Sequence, residues 1–242
     1  MNHIYKCMHE VNSYQVDFKD KMKVSSIFQI MQDAAGEGAS LLGVGKEVLM
    51  SNDIAWILSR IELKIYKHPK HKDKFQINTW PNKPMMMFHP RSFRMYDDDH
   101  NVVMEANTIW TLLDLNKRNI VTSDLHEFNF PTDLEVKPIL PLPSKINVSS
   151  VVCDKEYEVK YSDLDCNLHV NNTKYIEWMF DMIPFVEIKD MEIESITTNY
   201  LKEIRLGDKV NLGYNKEGNV YTFAFKVNDE VCFSSKLVVK GE

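Results

Sequence analysis

The hydrophobic and polar positions along the chain follow the same order of patterns twice. In the first half, a strand-like segment over 5–18 precedes a helix marked by apolar residues at helical spacing, which are Val24, Ile27, Phe28 and Met31. Runs bounded by turn residues then predict four strands, over 54–66, 74–80, 86–96 and 102–115. At the start of the helix, the predicted caps are Ser25 and Ser26.

The second half repeats this order. A strand over 156–161 precedes a helix over about 170–183, whose apolar face holds Ile176, Met179, Phe180 and Ile183. Four strands follow, over 194–205, 209–214, 220–227 and 231–239. Because a sheet with one apolar face buries that face against an apolar helix, the pattern predicts an α+β fold. One long helix wrapped by a five-stranded antiparallel sheet is the hotdog arrangement, and two copies predict a tandem (double) hotdog.

A proline-rich segment separates the halves. Residues 131–150 contain four prolines, at positions 131, 138, 141 and 143. Proline cannot donate to a strand ladder and stiffens an extended chain, so this segment is interpreted as a linker. The predicted domains are therefore residues 1–130 and 151–242.

Composition narrows the classes of function. Lysine and arginine number 29 against 35 aspartates and glutamates, a net charge of −6, whereas a general nucleic-acid binder would carry a basic surface. None of the four cysteines lies at Cys-x-x-Cys spacing, so we expect no metal site, no redox motif and no cofactor. Without a signal-peptide core or an apolar run of ~20 residues, we expect a cytoplasmic protein with no membrane partner. The two similar halves make either a monomer or a homodimer workable.

Candidate chemistry lies just before the second helix. Asp165, Asn167 and His169 alternate there, and alternate residues of an extended segment point the same way. They can converge beside a helix N-terminus, where backbone N–H groups and the helix dipole favour negative charge. An enzyme that holds a water and stabilises an oxyanion needs these side chains. The same pattern also forms turns and helix caps in many proteins.

The sequence around these residues resembles a known family. Residues 162–178, Ser-Asp-Leu-Asp-Cys-Asn-Leu-His-Val-Asn-Asn-Thr-Lys-Tyr-Ile-Glu-Trp, look like the signature of the acyl-acyl-carrier-protein (acyl-ACP) thioesterases of plant plastids and bacteria. The resemblance covers nearly the whole chain, and its motif in the second half is long and specific. The other matching segments are 199–208, 41–43, 54–60 and the surroundings of Trp80 and Trp110.

The resemblance implies a fold, an activity and a partner. The implied protein is a double hotdog that hydrolyses the thioester joining a fatty acyl chain to the phosphopantetheine of acyl carrier protein. The implied catalytic set is Asp165, Asn167, His169 and Glu203. Plant members carry a cysteine after the glutamate, whereas this chain has Ile204, so a cysteine nucleophile at that position is excluded.

Thioester hydrolysis needs an activated water, a stabilised oxyanion and a leaving thiolate. Glu203 is the first candidate for the base that takes a proton from water. Asp165 is the second candidate, and orientation of Asn167 or His169 is its alternative role. We expect His169 to polarise the carbonyl or protonate the sulfur, and Asn167 to position water or substrate. The expected oxyanion hole includes backbone N–H groups near Val170 and Asn171.

The first half differs at the equivalent positions. When residues 201–203 are aligned with residues 63–65, the first half has no glutamate at the position of Glu203. The start of its helix has no matching asparagine or histidine either. We therefore expect the first half to bind the acyl chain and the second half to carry out catalysis. The candidate acyl-binding residues are Met31, Trp56, Met85, Met86, Met87 and Phe88. For residues 85–87, a place in the core of a strand is the favoured alternative.

One segment is strongly basic. Residues 67–74, named here the lysine loop, contain Lys67, Lys70, Lys72 and Lys74. Carrier proteins are acidic, so charge complementarity makes the lysine loop a candidate docking surface for acyl carrier protein. A solvated loop without a partner is the favoured alternative.

Other functions compete with acyl-ACP hydrolysis. Acyl-CoA hydrolysis uses the same chemistry with a different carrier, and the lysine loop only weakly favours a protein carrier. A hotdog dehydratase or hydratase would need an acid–base pair for C–O chemistry rather than an aligned water. A non-catalytic acyl-binding double hotdog would not need four polar groups together in one half.

Overall fold

The computed structural model describes residues 3–121, 130, 131, 134 and 137–241. The chain divides into two compact units, unit 1 over Met1–Pro143 and unit 2 over Ser144–Glu242. The division falls inside the predicted linker, part of which lies outside the described residues. In the part of the chain that the structure describes, no helix is both long and apolar enough to cross a membrane.

Unit 1 is a helix packed on an antiparallel sheet with the strand order β1-β3-β4-β5-β2, in which β6 adds to β5. The long helix α1 packs against β1 and β3. The elements are β1 (Tyr5–Glu10), a 3-10 turn (Ser13–Gln15), α1 (Val24–Leu41), α2 (Lys46–Met50), β2 (Ile54–Ile65), β3 (Lys74–Pro81), β4 (His89–Asp97), β5 (Val102–Asp114) and β6 (Asn119–Val121).

The helical spacing seen in the sequence accounts for the buried face of α1. Ile27, Phe28 and Met31 are fully buried, as helical periodicity requires. The helix ends where Gly43 adopts a left-handed φ of 74°, a conformation that glycine tolerates best. The predicted serine caps are wrong: Lys23 occupies the N-cap, and both serines lie buried in the first turn.

Unit 2 has the same topology, with the strand order β7-β9-β10-β11-β8. Its helix α3 packs on the sheet through Tyr175 and Trp178, whose rings contact Phe225. The predicted double hotdog is confirmed, although each unit also has a short second helix and unit 1 has a sixth strand, β6. The elements are β7 (Lys155–Glu158), a 3-10 turn (Tyr161–Asp163), α3 (Asn172–Met182), α4 (Phe185–Ile188), β8 (Ile193–Tyr200), β9 (Lys209–Glu217), β10 (Val220–Val227) and β11 (Glu230–Val239).

Several predicted strands are shorter in the structure. The first ends at Glu10, β8 ends at Tyr200, and β4 begins at His89. Just before β4, the backbones of Met85 and Phe88 exchange hydrogen bonds of 2.8 and 2.9 Å across a tight turn. The prediction that residues 85–87 lie in the core of a strand is therefore wrong, since Met85 and its neighbour at the tip of the turn are exposed.

Candidate active site

Asp165 organises the loop that leads into α3, residues 163–171, named here the Asp165 loop. Its Oδ1 accepts hydrogen bonds from the backbone N–H of Asn167 at 2.8 Å and of His169 at 3.2 Å. The Asp165 N–H donates to the His169 carbonyl at 2.8 Å, and Leu168 adopts a left-handed φ of 62°. The loop is therefore a closed turn rather than the extended segment that the alternating side chains predicted.

Glu203 lies on a second segment, the connection between β8 and β9 over 201–208, named here the Glu203 turn. The two segments are joined by a backbone bond of 2.8 Å from the Val170 N–H to the Ile204 carbonyl and by a bridge between His169 and Arg205. Glu203 was predicted near the end of a strand and instead follows it in a turn. Tertiary pairing of two turns, rather than strand geometry, brings the carboxylate to the loop.

The imidazole of His169 and the carboxylate of Glu203 meet at this junction. Nε2 of His169 lies 3.2 Å from Oε2 of Glu203, with 20% and 32% of the two side chains exposed. Nη2 of Arg205 lies 3.4 Å from the same carboxylate oxygen. The pair is sheltered yet reachable by water, which proton transfer to or from a water molecule requires.

Asn167 stands at the outer edge of the loop. It is exposed, and its Nδ2 lies 3.5 Å from Oδ2 of Asp165, a weak contact that leaves the amide able to turn toward a bound molecule. The structure therefore brings His169 and Glu203 into direct contact and holds Asp165 and Asn167 beside them.

The backbone groups predicted for the oxyanion hole are already used by the fold. The Val170 N–H donates to Ile204, and the Asn171 N–H donates to the Asp163 carbonyl at 2.8 Å. That prediction is wrong, because neither N–H group points to a free position. Asn171 instead caps α3, because its side-chain oxygen accepts a hydrogen bond from the Thr173 N–H at 2.9 Å.

The sequence patterns predict no role for Tyr175, which lies behind the candidate site. It is buried, and its hydroxyl lies near the backbone of Ile204, the residue that directly follows Glu203. Burial raises the pKa of Tyr175 strongly, and the nearby carboxylates of Glu203 and Asp165 raise it further. A tyrosine one turn into the helix was the available signal, but its partner depends on the tertiary fold.

The predicted acyl-binding residues of unit 1 fall into two groups. Met31 is buried on α1, and Trp56 on β2 donates its indole N–H to the Val44 carbonyl at 2.9 Å. The second group, Met85, Met86, Met87 and Phe88, forms the tight turn before β4. Only the first group lies against the interior of unit 1, whereas Met86 at the tip of the turn is 87% exposed.

The four lysines of the lysine loop also divide. Lys67 pairs with Asp97 at 3.0 Å and Lys74 with Glu10 at 3.4 Å. Lys70 and Lys72 are exposed, and within the described ranges their ammonium groups have no carboxylate within salt-bridge distance. The paired lysines are partly neutralised, so the free positive charge of the loop concentrates at Lys70 and Lys72.

Unit 1 contains a second copy of the Asp165 loop, the Asp17 loop over 15–23. Oδ1 of Asp17 accepts from the N–H groups of Lys19 at 2.8 Å and Lys21 at 3.0 Å. The Asp17 N–H donates to the Lys21 carbonyl at 2.8 Å, and Asp20 has a φ of 61°. Each of these features matches the Asp165 loop, with lysines where that loop has Asn167 and His169.

The lysine loop is likewise the counterpart of the Glu203 turn. The Met22 N–H donates to the Pro69 carbonyl at 2.8 Å, as Val170 does to Ile204. Pro69 therefore matches Ile204, and the residue that matches Glu203 is His68. The predicted alignment with 63–65 is shifted by three residues, because both connections contain eight residues and β8 ends earlier than expected.

Family profiles match both units. The acyl-ACP thioesterase N-terminal domain matches residues 2–127, and the acyl-ACP thioesterase C-terminal domain matches residues 147–236. The chain belongs to the acyl-ACP thioesterase family. Among the described residues of this family member, no three His, Cys, Asp or Glu side chains are grouped to hold a metal ion.

Individual relatives agree with this assignment. The chain is 27% identical over 226 residues to oleoyl-acyl carrier protein thioesterase 2 of Arabidopsis thaliana, covering 86% of this chain and 61% of that protein. It is 25% identical over the same length to the oleoyl-acyl carrier protein thioesterase of Coriandrum sativum. The chain thus spans about 61% of the length of these plant relatives.

Solved structures show the same fold over the whole chain. An acyl-ACP thioesterase from Bacteroides thetaiotaomicron superimposes with a TM-score of 0.90 at 26% identity, covering 99% of this chain and 98% of that one. The 12:0-ACP thioesterase from Umbellularia californica gives a TM-score of 0.85 at 18% identity, covering 100% and 99%. The double hotdog of the acyl-ACP thioesterases is therefore the fold of this chain.

Proposed function

We propose that this chain hydrolyses the thioester between a fatty acyl group and acyl carrier protein, releasing a free fatty acid and so terminating fatty acid synthesis. The observation that carries the proposal is the contact of 3.2 Å between His169 and Glu203, next to the Asp165 loop. Family membership and the acyl-ACP thioesterase from Bacteroides thetaiotaomicron support the choice of substrate.

Glu203 is the general base in this proposal. Its carboxylate is partly exposed and touches His169, whereas Oδ1 of Asp165 is occupied by two backbone N–H groups. A base must reach a water, and a carboxylate that already closes a turn is poorly placed to do so. Asp165 is therefore assigned to position His169 and Asn167.

Glu203 and His169 transfer the proton in the proposed reaction. Glu203 takes a proton from water as the water oxygen bonds to the thioester carbonyl carbon. The C–S bond of the tetrahedral intermediate then breaks, and the proton returns through His169 to the leaving sulfur. The products are a carboxylic acid and the carrier thiol.

Asn167 stabilises the oxyanion in this scheme. Its amide Nδ2 is exposed and only weakly held by Asp165, while the backbone groups first expected to serve are engaged elsewhere. One preorganised donor of this kind is typically worth about 2.7–4 kcal/mol of transition-state stabilisation. Binding of the acyl chain by unit 1, through Met31 and Trp56, remains part of the proposal, as do the cytoplasmic location and the monomeric or homodimeric state.

The decisive experiment is turnover of the purified chain on acyl-ACPs of graded chain length, with matched acyl-CoAs alongside. Hydrolysis that favours the carrier-protein substrates, and that Glu203→Gln abolishes, is the expected result. Preference for acyl-CoA would make the chain an acyl-CoA thioesterase. Binding of acyl ligands without hydrolysis of either substrate would leave a non-catalytic acyl-binding protein.

A further inference from the structure

Unit 1 carries its own version of the candidate active site, and its side chains are basic. The basic surface, as named here, consists of residues 17–23 and the lysine loop, which a backbone pairing between Lys21 and Lys70 joins. Seven lysines against three aspartates give it a formal charge of +4, in a chain of net charge −6. The equivalent residues of unit 2, 165–171 and 202–209, hold three basic and three acidic side chains, a formal charge of zero.

Two of the three aspartates of the basic surface accept hydrogen bonds from its own backbone. Asp17 accepts two N–H groups of its own loop, and Asp73 accepts the Lys70 N–H at 2.9 Å. Lys70 and Lys72 have no hydrogen-bonding or ionic partner for their ammonium groups among the residues described. Because Lys67 and Lys74 pair with Asp97 and Glu10, the unpaired positive charge of the lysine loop lies at the exposed Lys70 and Lys72.

Exposed aromatic rings adjoin this charge. Phe18 is 58% exposed, with Nζ of Lys19 lying 5.9 Å from its ring centre, and Tyr14, which precedes the Asp17 loop, is 74% exposed. Aromatic anchors beside positive charge are typical of surfaces that bind another protein. A small anion would instead need several donors converging on one sheltered point, and these ammonium groups are spread over an open surface.

We propose that the basic surface of unit 1 docks the acidic carrier protein of the substrate. Lys70 and Lys72 supply the free charge, and Phe18 and Tyr14 supply apolar contact at the edge. The inference rests on the proposed function, because it takes the carrier to be a protein rather than CoA. The turns that hold the reacting groups in unit 2 thus become a recognition surface in unit 1.

The test measures kcat and KM on acyl-ACP at low and at high salt for the full chain and for the double variant Lys70→Glu with Lys72→Glu. A matched control, Lys236→Glu with Lys240→Glu, makes the same change in net charge at two exposed lysines of unit 2. A carrier-free acyl thioester of N-acetylcysteamine reports on catalysis without docking.

The lysine-loop variant is expected to raise KM for acyl-ACP about tenfold at low salt, with kcat unchanged, because unpaired charges steer association. The difference should vanish at high salt, in the control variant and on the carrier-free thioester. An unchanged KM, an equal rise in the control, or an equal loss on the carrier-free thioester would overturn the docking surface while leaving hydrolysis intact.

Failure of the proposed function gives a separate signal. If the unaltered chain hydrolyses no acyl-ACP, the proposed function is wrong, and binding of carrier protein alone then decides the inference. Salt-dependent binding that the lysine-loop variant weakens about tenfold would support docking. Absence of such binding would overturn it.

Discussion

The Asp165 loop and the Asp17 loop have the same backbone conformation but carry side chains of different chemistry. In each, an aspartate accepts two N–H groups of its own turn, and a left-handed residue follows three positions later. Only the side chains around this frame differ. The hydrogen-bonded turn is therefore a structural property of each hotdog unit, and the chemistry of each turn depends on the side chains that it carries.

The two loops also separate the roles of the polar residues. Both loops have the aspartate, although the Asp17 loop lacks the histidine and the glutamate. The aspartate is therefore needed for the turn itself. His169 and Glu203 occur only in unit 2. The matching positions of unit 1 hold Lys21 and His68. Their contact is thus the feature that distinguishes the units chemically.

The largest expected effect comes from breaking that contact. Glu203→Gln should lower kcat on acyl-ACP by roughly 10² or more, because the proposed general base is lost while the fold is retained. His68→Gln, the matched change in unit 1, should leave kcat within about twofold, since no proton transfer is assigned to it. Equal losses in both variants, measured by steady-state turnover, would mean that Glu203 acts only through structure.

The shared aspartates provide the next contrast. Asp165→Ala and Asp17→Ala should each lower the free energy of unfolding by roughly 1–3 kcal/mol, because each leaves two backbone N–H groups without their acceptor. Urea unfolding would measure this loss. Only Asp165→Ala should also reduce kcat. A fall in kcat without any loss of stability would indicate a direct chemical role for Asp165.

Tyr175 sharpens the comparison, since Ile27 stands at its position in unit 1. Tyr175→Phe should lower kcat about tenfold with KM unchanged, because the peptide after Glu203 loses the hydroxyl beside it and the carboxylate shifts. Tyr221→Phe is the control, a buried tyrosine whose hydroxyl bonds Glu187 at 2.6 Å. In the Glu203→Gln background the effect of Tyr175→Phe should disappear, and persistence there would argue for general destabilisation.

The smallest expected effect is on the pH dependence of the free energy of unfolding, to which a different buried group contributes in each unit. Burial lowers the pKa of His89 in unit 1 to about 4, below its ordinary 6.5. The unfolded chain therefore binds the proton first, so the free energy of unfolding should fall as pH drops from 6.5 toward 4. His89→Gln should flatten this dependence in equilibrium unfolding. An unchanged slope would place the acid sensitivity elsewhere.

At the alkaline end, Tyr175 of unit 2 contributes a pH dependence of its own. Burial raises the pKa of Tyr175, so its neutral form is favoured in the folded state. The stability that this contributes is present below pH 10 and is lost as pH rises beyond it.

Much of the fold followed from the sequence alone. The helical spacing around Ile27 and around Ile176, with turn residues between strands, predicted one helix and five strands in each half because periodicity reports burial directly. The errors lie at element ends. Residues 85–88 and 201–205 have residue types typical of strands, yet both segments form turns. The hydrogen bonds of these turns join residues that periodicity does not relate.

The sequence by itself determined the repeated unit, the family and the identities of Asp165, Asn167, His169 and Glu203. Tertiary structure decided which of them touch. His169 and Glu203 lie on different turns, and the bond from Val170 to Ile204 brings them together. The same kind of bond, from Met22 to Pro69, set the true register of the two halves. Local patterns fix backbone conformation over a few residues, whereas contacts between turns depend on where the sheet places them.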